Sequence, residues 1–561
     1  ITLADYVTIT DGTGIVHTAP AFGEDDYNTG RRYDLPVFNP VNEEGKFNVG
    51  KWEGMNVFDA DPEILNYLKE EGKLLRKQKV DHNYPHCWRC HTPLIYYANP
   101  SWYIEVTKFK DKLIEANNDV KWYPEFVGEK RFGNWLENLN DWALSRNRYW
   151  GTPLPIWKCE DRGETISIGS RKELVEKSIE NIDETIDLHR PYVDDCHIKC
   201  SKCGGKMTRY KDVIDVWFDS GSMPFAQRHY PFNKDDDFFN HYPADFICEG
   251  IDQTRGWFYS LLAIGTYMTG KSPYKSVLVN DLVLDKYGKK MSKSRGNTLD
   301  PFDIFDRYGA DVARFYAVYV SVPWLPTKYD EDGLKEVESK FIRSLRNVYT
   351  FFSLYVNSEN VKPDELNIPI SERDELDKWI ISRLNSLIDL VEENIDIFEL
   401  TKVSKALVDF VVEDLSNWYI RRSRRRFWGE DSKSKDSAFL TAYEVLLTIS
   451  KLIAPFTPFI AEELYQHLTD GKSVHLEDYP VVNKSLIDTE LETKIDLVRT
   501  IVSLGRAGRE KENIKVRQPI ASMIVDNKYK DKVHDLESLI KEELNVKEII
   551  YSSNVSDYMN Y

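Results

Sequence analysis

The apolar run Val277-Leu278-Val279 leads directly into DLVLDKYGKKMSKSRGN, residues 281–297, and this pairing constrains the chain more than any other stretch. A short β-branched run reads as a buried strand, and the loop after it gathers Lys289, Lys290, Lys293 and Arg295 among small residues. Ammonium groups on such a loop suit a polyphosphate, because they can neutralise charge developing on departing oxygens. The plain alternative is a solvated basic turn. A second segment, ADFICEGIDQTRGWFYSLL at 244–262, has an apolar strand, Phe246 to Cys248, that ends in Glu249 and Gly250; Asp252 and Gln253 then precede an apolar helix. Polar groups at the carboxyl end of a parallel strand, beside a helix N-terminus, are where an open α/β sheet takes its ligand.

With 561 residues the chain has room for several domains and large cores. Its 42% hydrophobic and 30% charged residues are those of an ordinary globular protein. No apolar run reaches about 18 residues and no signal-peptide pattern opens the chain, so neither a membrane span nor secretion is expected. Four of the seven cysteines stand in CxxC pairs, which favours metal binding or reduced thiols over a disulfide framework and makes a cytoplasmic location the expectation. A formal charge of -18 argues against an RNA partner only at long range, since phosphates are met by local patches. The chain opens on Ile-Thr-Leu and a strand-like segment, Tyr6 to Thr10, which reads as a fragment or a processed chain.

The string KMSKS at 290–294 is the signature of class I aminoacyl-tRNA synthetases, and the chain resembles the isoleucyl-tRNA synthetases through several further motifs. GTGIVHTAPAFGEDDY at 12–27 offers Asp25 or Asp26 to an amine, or else caps a helix with acids. It resembles the editing domain inserted into isoleucyl, valyl and leucyl enzymes, where the Asp nine residues after the His of VHTAP holds the amino group of the mischarged amino acid. Here that implies His17 and Asp26. DVIDVWFDSGSMPFA at 212–226 and the 244–262 segment carry Trp217 and Trp257, which in the family wall the amino-acid pocket; simple core packing is the alternative. The strings DVWFDSG and DQTRGWF place the resemblance with isoleucyl rather than valyl or leucyl enzymes.

Two cysteine groups are candidate metal ligands. Cys87 and Cys90 stand at knuckle spacing, flanked by His86 and His91. A closed zinc site needs four ligands, and in the resembled family the partner pair lies upstream of the editing insertion; two buried thiols are the alternative. Cys159, Cys196, Cys200 and Cys203 form a second group, the last followed by Gly204-Gly205. Related enzymes can carry a CxxC pair at its first position, but Arg162 occupies the second place, so Cys196 or His197 would have to supply the missing ligand.

After DPFDIFDRYGADVARFY, which resembles the start of a stem-contact domain, long amphipathic helices begin near residue 374. Ile380, Ile381, Leu384, Leu387, Ile388, Val391 and Ile395 recur at helical spacing, as do Leu407, Phe410, Val411, Leu415, Trp418 and Tyr419. This bundle resembles an anticodon-binding domain, including NWYIRRSRRRFW. Trp418, Arg421, Arg422 and Arg425 are its candidate tRNA contacts, and a solvated helix end is the alternative.

The expected fold is α/β: the second half of a Rossmann-type class I synthetase catalytic domain, with part of a β-rich editing insertion before it and a helical anticodon-binding bundle after it. The expected segments are 1–85 editing, 86–320 catalytic with a zinc-knuckle insertion at about 157–210, 321–370 stem contact, 371–495 anticodon binding and 496–561 a C-terminal junction. The resemblance implies a monomeric isoleucine-tRNA ligase that uses ATP and Mg²⁺, with Zn²⁺ at the cysteines, acts on isoleucine and tRNA(Ile), and edits mischarged valine. Lys290 and Lys293 would be catalytic; Met291 and Ser292 would join Lys293 at ATP; and Glu249, Gly250, Asp252, Gln253, Trp217 and Trp257 would hold the adenylate. The His-x-Gly-His signature and the threonine-rich half of the editing pocket would lie upstream, so the free chain is expected to be inactive. A valyl enzyme and a non-catalytic tRNA-binding module are the rival readings.

Overall fold

The computed structural model describes all residues except 11–12, 80, 88–89, 234–236, 293–294, 431 and 556–561, so Lys293 lies outside the described residues. The chain forms two compact units, one of Ile1–Glu105 with Asp141–Val216 and one of Val106–Asn140 with Trp217–Tyr561.

In the first unit, helix Glu24–Arg32 carries Glu24, Asp25 and Asp26 in its first turn and two arginines in its last, complementing the helix dipole at both ends. Asn56 caps helix Val57–Glu70 by accepting from the Phe58 N–H. An antiparallel sheet orders Thr165–Ser167, Ile156–Cys159, Lys206–Arg209 and Ile198–Lys199 side by side. The expected strand at Tyr6 to Thr10 is instead turn and coil, with Ile9 exposed. A strand is stable only with a paired neighbour, and among the described residues none flanks this segment.

The second unit contains a parallel sheet in which Ser276–Asn280 lies between Ile247–Gly250 and Lys121–Tyr123. Register pairs Glu249 with Val279 and Gly250 with Asn280, so both strands end level. Helix Trp257–Thr269 covers the sheet region with Phe258, Leu261 and Leu262 buried. From Ile304 to Ile549 one continuous apolar core follows. Helix Glu375–Ile395 contributes Ile380, Leu384, Ile388 and Val391, positions three and four apart that form a single stripe, with Trp379 buried beside it. Helix Leu400–Asp409 runs on through a π-helical stretch, Phe410–Ile420, into Arg421–Phe427. Helix Ser432–Ile453 stops ahead of Pro455, which cannot continue the ladder. Parallel strands Ile520–Asp526 and Val546–Ser552, linked through helix Glu537–Leu544, close the unit.

One carboxylate ties the bundle together. Asp377 is fully buried and accepts from Tyr419 Oη at 2.7 Å, from Arg426 Nη1 and Nη2 at 2.8 and 2.7 Å, and from Ser437 Oγ. Arg426 of the basic string is therefore engaged by the fold, with 17% of its side chain exposed. Trp418, expected as a nucleic-acid contact, is also buried, with 5% of its surface exposed, and it cannot stack on a base. The apolar stripe that forms the bundle includes it.

Candidate active site

At the carboxyl end of strand Ile247–Gly250 the chain enters a 3₁₀ turn, Ile251–Arg255, that presents Asp252 and Gln253. Glu249 and Asp252 are exposed and Gln253 is half-buried. Gln253 Oε1 accepts from the Trp257 N–H at 2.9 Å, satisfying one of the donors left open at the start of the helix, while its Nε2 reaches Asp252 Oδ2 at 3.3 Å. The Trp257 indole donates to Ser220 O at 3.3 Å, which brings the segments around 217 and 257 together. Trp217 closes over Gly256: a methyl group there would stand 3.0 Å from the ring and 2.7 Å from Gln253 Oε1. Only glycine permits that approach. Trp217 keeps 39% of its surface exposed and Trp257 is half-buried, so both indoles are partly open rather than core. The structure thus groups Glu249, Gly250, Asp252, Gln253, Trp217 and Trp257 as one polar-rimmed, aromatic-walled site.

Strand Ser276–Asn280, beside it in the sheet, feeds the cationic loop. Asp285 O accepts from the Gly288 N–H at 2.8 Å in a turn that needs the positive φ of Gly288, +78°. Leu284 bridges to Lys290, and Lys289, Lys290 and Arg295 are exposed while Met291 and Ser292 are half-buried. Asp285 and Asn297, which the motif reading left aside, hold the loop from within. Asn297 Nδ2 donates to Asp285 Oδ2 at 2.9 Å and its Oδ1 accepts from the Ser292 N–H at 2.9 Å. Asp and Asn flanking a Gly turn were the available signal.

In the first unit, Cys159, Cys200 and Cys203 have all their sulfurs within 4.8 Å of one another, with Cys159 Sγ and Cys203 Sγ at 3.5 Å. Each side is a tight turn: Gly163 N–H to Cys159 O and Gly204 N–H to Cys200 O, both 2.9 Å. The Cys200 thiol is drawn below its ordinary range by backbone N–H groups at Cys203 and Lys202, as suits a metal ligand. Cys196 does not join them: its sulfur points to Tyr192 O at 3.6 Å, and burial pushes its thiol up. His197 is held by Glu180 at 2.8 Å. The expected fourth ligand is therefore corrected on both counts, because these side chains are engaged by Tyr192 O and Glu180, and Arg162 is exposed. Cys87 is half-buried and Cys90 exposed; hydrogen bonds from Thr92, then from Cys87, hold the Cys90 thiol down to about 7.

Asp26 is half-buried in the first turn of helix Glu24–Arg32, with Tyr6 Oη at 3.5 Å, and His17 is exposed in coil. Of the bundle arginines, Arg421 pairs with Glu543 at 2.6 Å, and Arg422 with Glu543 at 3.0 Å and Glu542 at 2.6 Å; Arg506 also meets Glu543. Burial works to raise the Glu543 carboxyl, but the guanidinium hydrogen bonds outweigh it and hold it below its ordinary range. Arg421 and Arg422 therefore tie helix Glu537–Leu544 to the bundle, while Arg425 remains exposed, as does Trp428 with 51% of its surface open.

Comparison with known proteins gives these groupings a context. Residues 26–323 match the family described as tRNA synthetases class I (I, L, M and V), and residues 377–525 match the anticodon-binding domain of tRNA ligase. Isoleucine–tRNA ligases of Clostridium novyi, Clostridium tetani and Bacillus thuringiensis are 50%, 48% and 47% identical, over 100%, 99% and 100% of this chain. The chain spans about half the length of these curated relatives, 54% of each. With a class I catalytic match over its α/β half and an anticodon-binding match over its helical half, the chain belongs to the class I tRNA synthetases of the I, L, M and V group.

Proposed function

We propose that the chain is the adenylate-forming and tRNA-reading part of an isoleucine–tRNA ligase. The observation that carries this reading is that Trp217, set against Gly256, and Trp257, whose indole donates to Ser220 O, lie beside the turn that follows strand Ile247–Gly250, in a chain half-identical to ligases of that name. In the proposed reaction the isoleucine carboxylate attacks the α-phosphate of ATP and pyrophosphate leaves; the aminoacyl group then passes to the terminal ribose of tRNA(Ile) and AMP leaves. The two indoles enclose the branched side chain, Glu249 and Asp252 offer acceptors to the ammonium and hydroxyl groups of the adenylate, and Gln253 Nε2 offers a donor. Met291 and Ser292 line the nucleotide, and Lys290 and Lys293 neutralise the leaving pyrophosphate. Mg²⁺ bound with ATP supplies further charge neutralisation on the phosphates. Arg425 contacts tRNA phosphates. A monomer in the cytoplasm and domain limits near 85, 320, 370 and 495 belong to the same reading.

Isoleucine-dependent exchange of pyrophosphate into ATP by the full-length protein is the test. Exchange with valine in preference to isoleucine would make it a valyl enzyme, and tRNA binding without exchange for any amino acid would make it a binding module.

The three clustered thiols would supply three ligands of a Zn²⁺ tetrahedron, in which Zn–S bonds of about 2.3 Å need sulfurs roughly 3.8 Å apart, and a water would take the fourth position. We expect about one zinc per chain, released by Cys200→Ser. Elemental analysis finding no zinc in protein prepared without chelator would leave Cys159, Cys200 and Cys203 as packed thiols.

Asp26 is proposed to hold the ammonium of mischarged valine at a hydrolytic site. One methylene in a hydrophobic pocket discriminates by only about 1–3 kcal/mol, a magnitude for which this enzyme family is itself the standard example, so a second sieve is needed. Asp26→Ala is expected to slow valyl-tRNA deacylation about tenfold while isoleucine activation stays normal. Deacylation at the wild-type rate would reduce Asp26 to a helix-capping acid.

A further inference from the structure

Two residues outside the basic signature determine how its ends are held. Asp285 Oδ1 accepts from the N–H groups of Tyr287 and Lys289 at 3.0 and 2.8 Å, and its Oδ2 accepts from Asn297 Nδ2 at 2.9 Å. Asn297 in turn donates to Lys290 O at 3.3 Å and accepts from the Ser292 N–H at 2.9 Å. Both side chains are half-buried, whereas Lys289, Lys290 and Arg295 are exposed. Four hydrogen bonds thus run from one Asp–Asn contact to the backbone on both sides of Met291. The Asn297 amide and the Lys289 N–H hold the Asp285 carboxyl below its ordinary range, which keeps it an acceptor.

We propose that Asp285 and Asn297 are positioning residues that fix the backbone of Lys290 and Ser292 for the nucleotide phosphates, so that these two residues are set before ATP binds. The assignment rests on the adenylate-forming role proposed above. A cationic loop without such a hub would have to be ordered in each catalytic cycle, and the loss would fall on the rate of activation rather than on isoleucine affinity.

The test uses the full-length protein and two independent readouts. Trypsin can cleave after Lys289, Lys290 and Arg295, and mass spectrometry follows these cuts without ATP or amino acid. Asn297→Ala is expected to accelerate them about tenfold and to lower kcat for pyrophosphate exchange by a similar factor with an unchanged KM for isoleucine. Asn297→Asp sets two carboxylates face to face and should be worse. Adding Asp285→Asn to it restores an amide–carboxylate hydrogen bond with donor and acceptor exchanged, and should recover part of both readouts. Wild-type cleavage and kcat in Asn297→Ala, or a double variant no better than Asn297→Asp, would overturn the assignment. Faster cleavage with wild-type kcat would overturn it too, leaving a purely structural contact. If the wild type shows no amino-acid-dependent exchange, the proposed function fails and this assignment with it; the two failures differ because only the second proposal depends on the variants.

Discussion

Lys293→Ala in the full-length protein is expected to slow adenylate formation by about 100-fold, or about 2.7 kcal/mol, with little change in isoleucine affinity. Pyrophosphate carries its charge most fully once the α-phosphate bond is breaking, so an ammonium placed for the leaving group acts mainly in the transition state. Strand Ser276–Asn280 delivers the loop beside the Glu249–Gln253 rim, and exposed Lys290 and Arg295 leave the same segment. A KM effect on ATP with an unchanged rate would mean that Lys293 only helps to bind nucleotide. Single-turnover formation of the adenylate, followed by rapid quench, separates the two outcomes.

Asp377→Ala is expected to destabilise the helical bundle by about 3 kcal/mol, the lower end of what breaking a buried ion pair costs. The variant strands the Arg426 guanidinium, only 17% exposed, and removes the acceptor of the buried Tyr419 hydroxyl. Asp374, at 3.0 Å from Arg426, remains and limits the damage. Asp377→Asn keeps an acceptor for Tyr419 or Ser437 and should lose less. Urea unfolding followed by far-UV circular dichroism gives both values, and a loss below about 1 kcal/mol for the alanine variant would show that Arg426 finds full compensation elsewhere. Arg426 lies in the same string as the exposed Arg425, and this measurement tests whether it is Arg426 that holds the fold.

Much of this protein was legible in its linear order. The stripe Ile380, Leu384, Ile388, Val391 specifies a bundle helix wherever it is placed, because the period of 3.6 is local geometry. The run Val277-Leu278-Val279 with its polar successor specifies a strand that ends level with its neighbour at Gly250, and the motif strings around Lys290, Trp217 and Trp257 carry the family because spacing along the chain is itself the signal. Only tertiary structure decided which members of those strings are exposed. Arg421, Arg422, Arg425 and Arg426 look alike in sequence, yet Glu543 and Asp377 engage three of them from more than 100 and about 50 residues away and leave Arg425 to solvent. Cys196 and Cys200 stand four residues apart, but only Cys200 turns towards Cys159, because the sheet register and the Cys200–Gly204 turn direct it there. Partner choice among like charges and like thiols is a matter of distance in space, which a sequence does not encode residue by residue.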